Sequence, residues 1–358
     1  MPAAPAVLIA GCGDVGSRLA QQLIVADWTV FGLRRDVARL PLAVVPVAGD
    51  LTLPVCPPAW PQGTLDYLVY CATPSEHDEA GYRAAYVDGL RHVLGWLQAH
   101  GQSPRRVLFV SSSGVYGQQA GEWVDETAPA EASGFSAQIM REAEQLALNS
   151  GVPASLVRLT GIYGPGRNWL LRQAREGYRV ASEPPLYGNR IHADDAAGLL
   201  AFLLQADARG VALEDCYIGV DDEPAPLHEV VGWLRAQLGV SHWAEQSTVR
   251  RAGSKRCSNA RARALGWVPQ YPSYREGYAA LLREGYGYAS EGGDCPSSST
   301  KCCRAANFVG ASLLAMLLTC QDRQQAGSYR IFWGLFPSPP TPRFWLPASP
   351  YLLHPCSR

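Results

Sequence analysis

The chain has 358 residues, 47% of them hydrophobic, and a formal net charge of −1. That length and apolar content allow either two domains or one large α/β unit with a lobe. Near-neutral charge with no long run of like sign gives no basis for binding nucleic acid or an acidic membrane surface.

The first element is the one that organises the rest. Val7-Leu8-Ile9-Ala10 reads as a buried strand, Gly11-Cys12-Gly13-Asp14-Val15-Gly16 as a glycine-rich turn, and Val15, Leu19 and Leu23 as the apolar stripe of the helix that follows. In this strand–turn–helix context the GxGxxG spacing has a mechanical reading. Gly11 permits the tight turn, Gly13 lets a pyrophosphate approach the backbone, and Gly16 lets helix and strand pack closely. The helix start then offers N–H groups and a positive dipole end to the phosphates. Ile9-Ala10-Gly11-Cys12 also imitates a lipoprotein cleavage site, but a basic n-region is missing and the apolar run before it is short.

Strands are expected next at 28–33, 44–50 and 65–72, then a helix over 79–100 stopped by Gly101. Residues 106–111 and 155–159 give two more strands. Strands separated by helical stretches imply right-handed crossovers and a mostly parallel sheet covered on both faces. Later, Asp195 is placed to cap a helix over 196–204; a strand follows at 216–220, helices at 226–238 and 274–282, and a further segment at 255–267. Residues 291–358 differ in character, with eight prolines, five cysteines and no strand–helix rhythm. The apolar stretch 305–320 is short of the ~20 residues that span a bilayer, so no membrane partner is expected. The other five cysteines (Cys12, Cys56, Cys71, Cys216 and Cys257) lack metal-ligand spacing and read as reduced thiols of a cytoplasmic protein.

Further motifs follow the glycine turn. They are Gly49-Asp50-Leu51-Thr52, Ser111-Ser112-Ser113-Gly114-Val115-Tyr116-Gly117, Val124-Asp125-Glu126, Arg158 with Tyr163-Gly164-Pro165-Gly166, and Arg190-Ile191-His192-Ala193-Asp194-Asp195. Together, over roughly residues 5–285, they resemble the extended short-chain dehydrogenase/reductases, the NAD(P)-dependent epimerase and dehydratase group. The resemblance implies a doubly wound, Rossmann-type parallel sheet with a smaller C-terminal substrate lobe. It divides the chain into an NAD(P)-binding domain over 1–165, a partly interleaved lobe over 166–288 and an irregular tail over 289–358.

It also implies roles. The cofactor set is Gly11, Cys12, Gly13, Asp14, Val15, Gly16, Arg34, Arg35, Asp50, Leu51, Cys71, Ala72, Thr73 and Leu159, with Asp50 matching an adenine-contacting acid. Ser112 matches the catalytic hydroxyl that bonds the reacting oxygen, Ser113 being its close rival, while His192 and Tyr163 match structural positions. The family's proton relay is a Tyr with a Lys four residues later, and here Phe135 and Ile139 stand in that register, with no such pair nearby. The usual mechanism therefore does not transfer. Tyr116 and Arg141 are the nearest candidates to take over, and Arg141, Glu142 and Glu144 otherwise read as a solvated helix face.

Strand two ends in Arg34 and Arg35 where NAD-preferring members carry an acid, so NADP is favoured, with NAD the alternative through Asp36. Two functions compete: an oxidoreductase or epimerase-like enzyme on a small carbonyl or sugar-nucleotide substrate, and a non-catalytic NADP(H)-sensing module. Arg167, Arg190 and Arg256 are candidate anion contacts for the small-molecule substrate. Oligomeric state stays open, although the resemblance implies a homodimer through two helices beside the sheet.

Overall fold

A computed structural model describes residues 4–244 and 253–286. The elements run β1 (Ala6–Ala10), α1 (Asp14–Val25), β2 (Thr29–Arg34), β3 (Val45–Ala48), β4 (Tyr67–Tyr70), α2 (Glu79–Arg83), α3 (Gly89–Ala99), β5 (Arg106–Ser112), β6 (Glu122–Val124) and α4 (Phe135–Leu148). Then come β7 (Ala154–Leu159), β8 (Gly161–Tyr163), α5 (Trp169–Arg175), β9 (Tyr187–Gly188), β10 (Arg190–His192), α6 (Ala193–Ala208), β11 (Cys216–Gly219), β12 (Ala225–Pro226), α7 (Leu227–Leu238), β13 (Lys255–Cys257), α8 (Ala260–Leu265) and α9 (Tyr274–Arg283). The proline- and cysteine-rich tail and its apolar stretch at 305–320 lie outside the described residues.

Seven strands form a parallel sheet in the order β11-β7-β5-β4-β1-β2-β3. Alternation along β1 explains why both faces are covered. Leu8 and Ala10 pack toward Leu90, Val93 and Leu97 of α3 and toward Met140 of α4. Val7 and Ile9 pack the other way, toward Leu19 and Leu23 of α1 and Leu200 and Leu203 of α6. A smaller cluster of Tyr163, Leu171, Val230, Leu234, Tyr274 and Tyr278 forms the core beside α5, α7 and α9. The strand order turns around at β1, with β4 on one side and β2 on the other, which is where open α/β sheets leave a crevice at their carboxyl ends.

Three sequence expectations need correction. The helix expected over 79–100 is interrupted by a π-turn at Ala84–Asp88, which rotates Tyr86 out of its α-helical register. Asp195 is not the cap of its helix. α6 starts earlier, at Ala193, with the His192 ring Nδ1 accepting the Asp194 N–H. Asp195 is buried instead, and its carboxylate accepts the backbone N–H groups of Gln270 at 2.6 Å and Tyr271 at 3.0 Å, tying α6 to the segment before α9.

Glu144 is likewise not on a solvated face. It is 2% exposed and takes a two-pronged contact from the Arg158 guanidinium, Nε to Oε1 at 2.8 Å and Nη2 to Oε2 at 2.7 Å. The Ser111 hydroxyl donates to the same carboxylate at 2.6 Å, and Arg158 Nη1 donates to the Tyr116 hydroxyl at 2.9 Å. The network joins α4 to β5 and β7 beneath the carboxyl ends of the strands. Removing one partner of such a buried pair strands the other charge, at a cost of about 3–5 kcal/mol. Glu144→Ala is therefore expected to lower unfolding stability by that amount in urea denaturation. Glu142→Ala breaks only an exposed pair with Arg83 and should cost less than about 1 kcal/mol. Equal effects of the two would contradict the network's role.

Candidate functional site

The glycine turn closes over the sheet at the crevice. Gly11 has φ +83°, and a Cβ there would lie 2.6 Å from the backbone of Ala72, so only glycine fits where β1 and β4 end side by side. Gly16 faces Ile9, and an added Cβ would crowd the Ile9 side chain at 3.0 Å. Gly13 is different. Its φ is −83°, but its ψ of −142° lies outside the regions that L side chains ordinarily occupy, and the nearest atom to an added Cβ is the Gly11 carbonyl oxygen at 3.9 Å. The backbone conformation favours glycine at 13, and the space in front of it is left open for a ligand lying on the turn. Beyond it, the N–H groups of the first turn of α1 have no intrahelical acceptor.

Two adjoining cavities make one trough across this point, sharing Gly13, Ala72 and Thr73 as walls. The larger, about 610 Å³, is lined by Gly11, Arg34, Arg35, Asp50 and Leu51, with Asp36 and Arg39 beside them. Arg34 Nη1 donates to the Cys12 carbonyl at 3.0 Å, and Arg35 Nη2 to the Ser75 hydroxyl at 3.0 Å, so both guanidiniums are anchored on one side. Burial works against ionisation of Asp50, but the Thr52 N–H and hydroxyl, at 3.0 and 2.8 Å, outweigh it and hold the carboxyl below its usual range.

The smaller part, about 200 Å³, is lined by Asp14, Val15, Gly16, Cys71, Leu159 and Ser112, and by Tyr86, Ser111, Met140, Thr160, Ile162 and Arg167. Cys12, alone of the cofactor set, lines neither part; its buried side chain packs under the turn. Among the hydroxyls, Ser111 is committed to Glu144 and Thr160 to the Gly219 carbonyl. Ser112 Oγ accepts the Gly114 N–H at 3.0 Å as the cap of a short 3-10 turn, which leaves its own proton to donate into the trough. Ser113 lines neither part. Burial pushes the Cys71 thiol up to about 12, so it is not a thiolate nucleophile near neutrality.

The two candidates for a relocated proton donor are not in the trough. Tyr116 is 2% exposed and held under the Arg158 guanidinium, and Arg141 donates to the Ala132 carbonyl at 2.6 Å. Phe135 stands at the start of α4 against the edge of the Tyr82 ring, and Ile139 is buried in the core. Tyr86 is the tyrosine that sequence reasoning missed, because a regular helix over 79–100 gives no reason to single it out. Burial pushes its hydroxyl above the ordinary tyrosine range, so it stays protonated.

Arg167 stands where trough and lobe meet. It donates to Asp14 at 2.7 Å, and Asp14 also takes Arg18 at 2.9 Å, while Arg18 reaches on to Asp194. Although burial opposes it, these cations hold the Asp14 carboxyl below its usual range. Arg256 lies elsewhere, over the rings of Trp123 and Tyr187 with Nε on the Gly121 carbonyl. Among the described residues, no helix is long and apolar enough to cross a membrane.

Comparison with known proteins agrees with this geometry. The profile of the NAD dependent epimerase/dehydratase family matches residues 7–219. A 3-diazoavenalumate denitrifying reductase from a Streptomyces species is 28% identical over 310 residues, covering 76% of this chain and 98% of that protein. A candidate NAD-dependent epimerase/dehydratase from Methylobacillus flagellatus, 37% identical, superposes with a TM-score of 0.66 over 79% of this chain and 100% of its own. Human epimerase family protein SDR39U1 (isoform 2), solved with NADPH, shares the fold at 18% identity, with a TM-score of 0.64 over 78% and 99% of the two chains. The seven-stranded parallel sheet, the glycine turn at its crevice and the profile match agree: the chain belongs to the NAD-dependent epimerase/dehydratase family of extended short-chain dehydrogenase/reductases, with their NAD(P)-binding Rossmann fold.

Proposed function

We propose that the chain is an NADP(H)-dependent oxidoreductase or epimerase-like enzyme acting on a small carbonyl or sugar-nucleotide substrate. The observation that carries this reading is the trough itself. A glycine-13 wall with open space in front of it leads from a guanidinium-lined cavity to a cavity lined by hydroxyls. The residues fit a dinucleotide. Asp50 and Leu51 would border the adenine, the start of α1 would hold the pyrophosphate, and Cys71, Ala72, Thr73 and Leu159 would border the nicotinamide half. A bound nicotinamide supplies hydride chemistry at its ring.

Everything else falls to the chain's own side chains. Arg34 and Arg35, with Arg39 nearby, offer planar donor forks to a 2′-phosphate, in a cavity whose carboxylates are Asp36, Asp50 and Glu76. Ser112 donates its free proton to the reacting oxygen, polarising it. Tyr86 stays protonated and so acts as a donor, not as a base. With no cation beside it to lower its pKa, proton transfer is slow compared with a Tyr–Lys relay, and turnover should be correspondingly modest. The Streptomyces relative is named for a reductase activity, which supports the oxidoreductase side of the reading.

Two measurements test it. NADPH should bind with micromolar affinity, and the double change Arg34→Ala, Arg35→Ala should weaken NADPH at least tenfold more than it weakens NADH. Equal binding of both nucleotides, unaffected by the double change, would overturn the NADP preference. In steady-state assays over a panel of small carbonyl compounds, Ser112→Ala should lower kcat/KM by roughly ten- to a hundredfold without weakening NADPH. Turnover that survives intact in Ser112→Ala would remove that residue from the chemistry.

A further inference from the structure

On the lobe side of the trough lies a third cavity, about 170 Å³, between β8, β10, α5 and α9. Ile162 and Arg167 belong to its walls and to those of the trough, so the two spaces meet there. Its other walls are flat and mostly apolar. Trp169 meets Tyr178 edge-on at 5.9 Å, and Tyr278 lies stacked on Tyr163 at 4.5 Å.

One wall is a charge. Arg190 is 3% exposed, and its Nη1 is sealed from solvent with no hydrogen-bond partner. Around it are the face of Tyr274, 5.7 Å away, the Tyr163 hydroxyl, and the carboxylate of Asp221, which does not hydrogen-bond to it. Burial drives the Asp221 carboxyl well above the usual carboxylate range, against the pull of Arg190, so it compensates the guanidinium poorly. A guanidinium nitrogen withdrawn from water and left without a hydrogen-bond partner, as Nη1 is, is costly unless something else completes it. Its position on a cavity wall says where that partner would come from.

Size narrows the class. An apolar cavity of about 150 Å³ takes one benzene ring, whereas drug-sized ligands occupy about 300–1,000 Å³. A space of about 170 Å³ therefore suits one ring with a small substituent and is too small to hold a whole nucleoside diphosphate sugar by itself. A planar guanidinium fork matches a carboxylate in shape and charge.

We propose that this cavity receives a single-ring aromatic carboxylic acid, its carboxylate on Arg190, its ring between Trp169, Tyr178 and Tyr278, and its reactive end directed past Ile162 and Arg167 into the trough. The inference rests on the enzymatic reading above and chooses between its two substrate classes, in favour of the small molecule.

Calorimetric titration of the full chain tests it, with 3-phenylpropanoate, 3-phenylpropan-1-ol, phenyl phosphate and UDP-glucose as probes. The acid should bind at least tenfold more tightly than the alcohol, and more tightly than the phosphate or the nucleotide sugar. Arg190→Met should remove at least tenfold of the acid's affinity and leave the alcohol and NADPH unchanged. Trp169→Ala, at a half-exposed position that folding tolerates, should weaken acid and alcohol alike. Should Arg190→Met fail to fold, the acid–alcohol comparison and Trp169→Ala decide. Equal binding of acid and alcohol, tighter binding of phenyl phosphate or UDP-glucose, or full acid affinity in Arg190→Met would overturn the proposal. NADPH titrated into the same wild-type sample separates the two readings. Binding of NADPH without the acid sinks this inference alone, and binding of the acid without NADPH sinks the cofactor reading.

Discussion

The close approach of Gly11 to Ala72 fixes the site. With φ at +83° and room for no Cβ, the chain can leave β1 only by folding back over the end of β4. An L side chain there would meet both backbone strain, on the order of 1–3 kcal/mol, and a direct clash. That turn aims the start of α1 across the crevice between β1 and β4. Arg34 then reinforces it from the end of β2 by donating to the Cys12 carbonyl. The geometry of the glycine turn and the sheet topology are thus one constraint seen from two sides.

Beneath the trough, the Arg158–Glu144–Ser111 network plays a matching part. It holds α4, the helix that begins with Phe135, against the ends of β5 and β7, and it occupies the hydroxyl of Ser111. Because Ser111 is committed inward, its neighbour Ser112 is the one presented outward. Both serines border the trough, and the alternation of a β-strand decides which of the two hydroxyls is spent on the buried network. The polar side chains of the trough are hydroxyls, arginines and the carboxylates of Asp14, Asp36, Asp50 and Glu76. Lysine occurs only at 255 and 301 in the sequence, and Lys255 donates to the Tyr116 carbonyl, away from the trough.

Much of this was legible in the sequence. Parallel strands buried on both faces are continuous apolar runs, so β1, β2, β4, β5 and β7 announced themselves, and the glycine spacing located the crevice. What was not legible depends on contacts between distant residues. The π-turn leaves the local spacing nearly helical, so Tyr86 looked like one more apolar position. Glu144 looked like its exposed neighbour Glu142, although two residues along a helix point to nearly opposite sides. The signal that could have found it was Arg158, a charge in the middle of an otherwise apolar strand, which demands a buried partner. The start of α6 was misplaced because Asp195, a good capping residue by type, spends its carboxylate on Gln270 and Tyr271. Arg190 could be suspected from its motif, but its isolation on a cavity wall is a property of the packed lobe.

The central claim is that this crevice exists to hold a nicotinamide dinucleotide, and Gly13 offers the most direct test. No neighbouring atom crowds a side chain there, so a substitution costs the fold only backbone strain, on the order of 1–3 kcal/mol, whereas it would fill the space a pyrophosphate lying on the turn needs. Calorimetric titration of NADPH into the wild type and Gly13→Val, with thermal unfolding of both, separates the two requirements. The account predicts micromolar binding by the wild type, its loss in the variant, and a variant that still unfolds cooperatively, its melting temperature lower by only the few degrees that backbone strain accounts for. A wild type that gives no heat with NADPH or NADH, or a variant that binds as well as its parent, would contradict it.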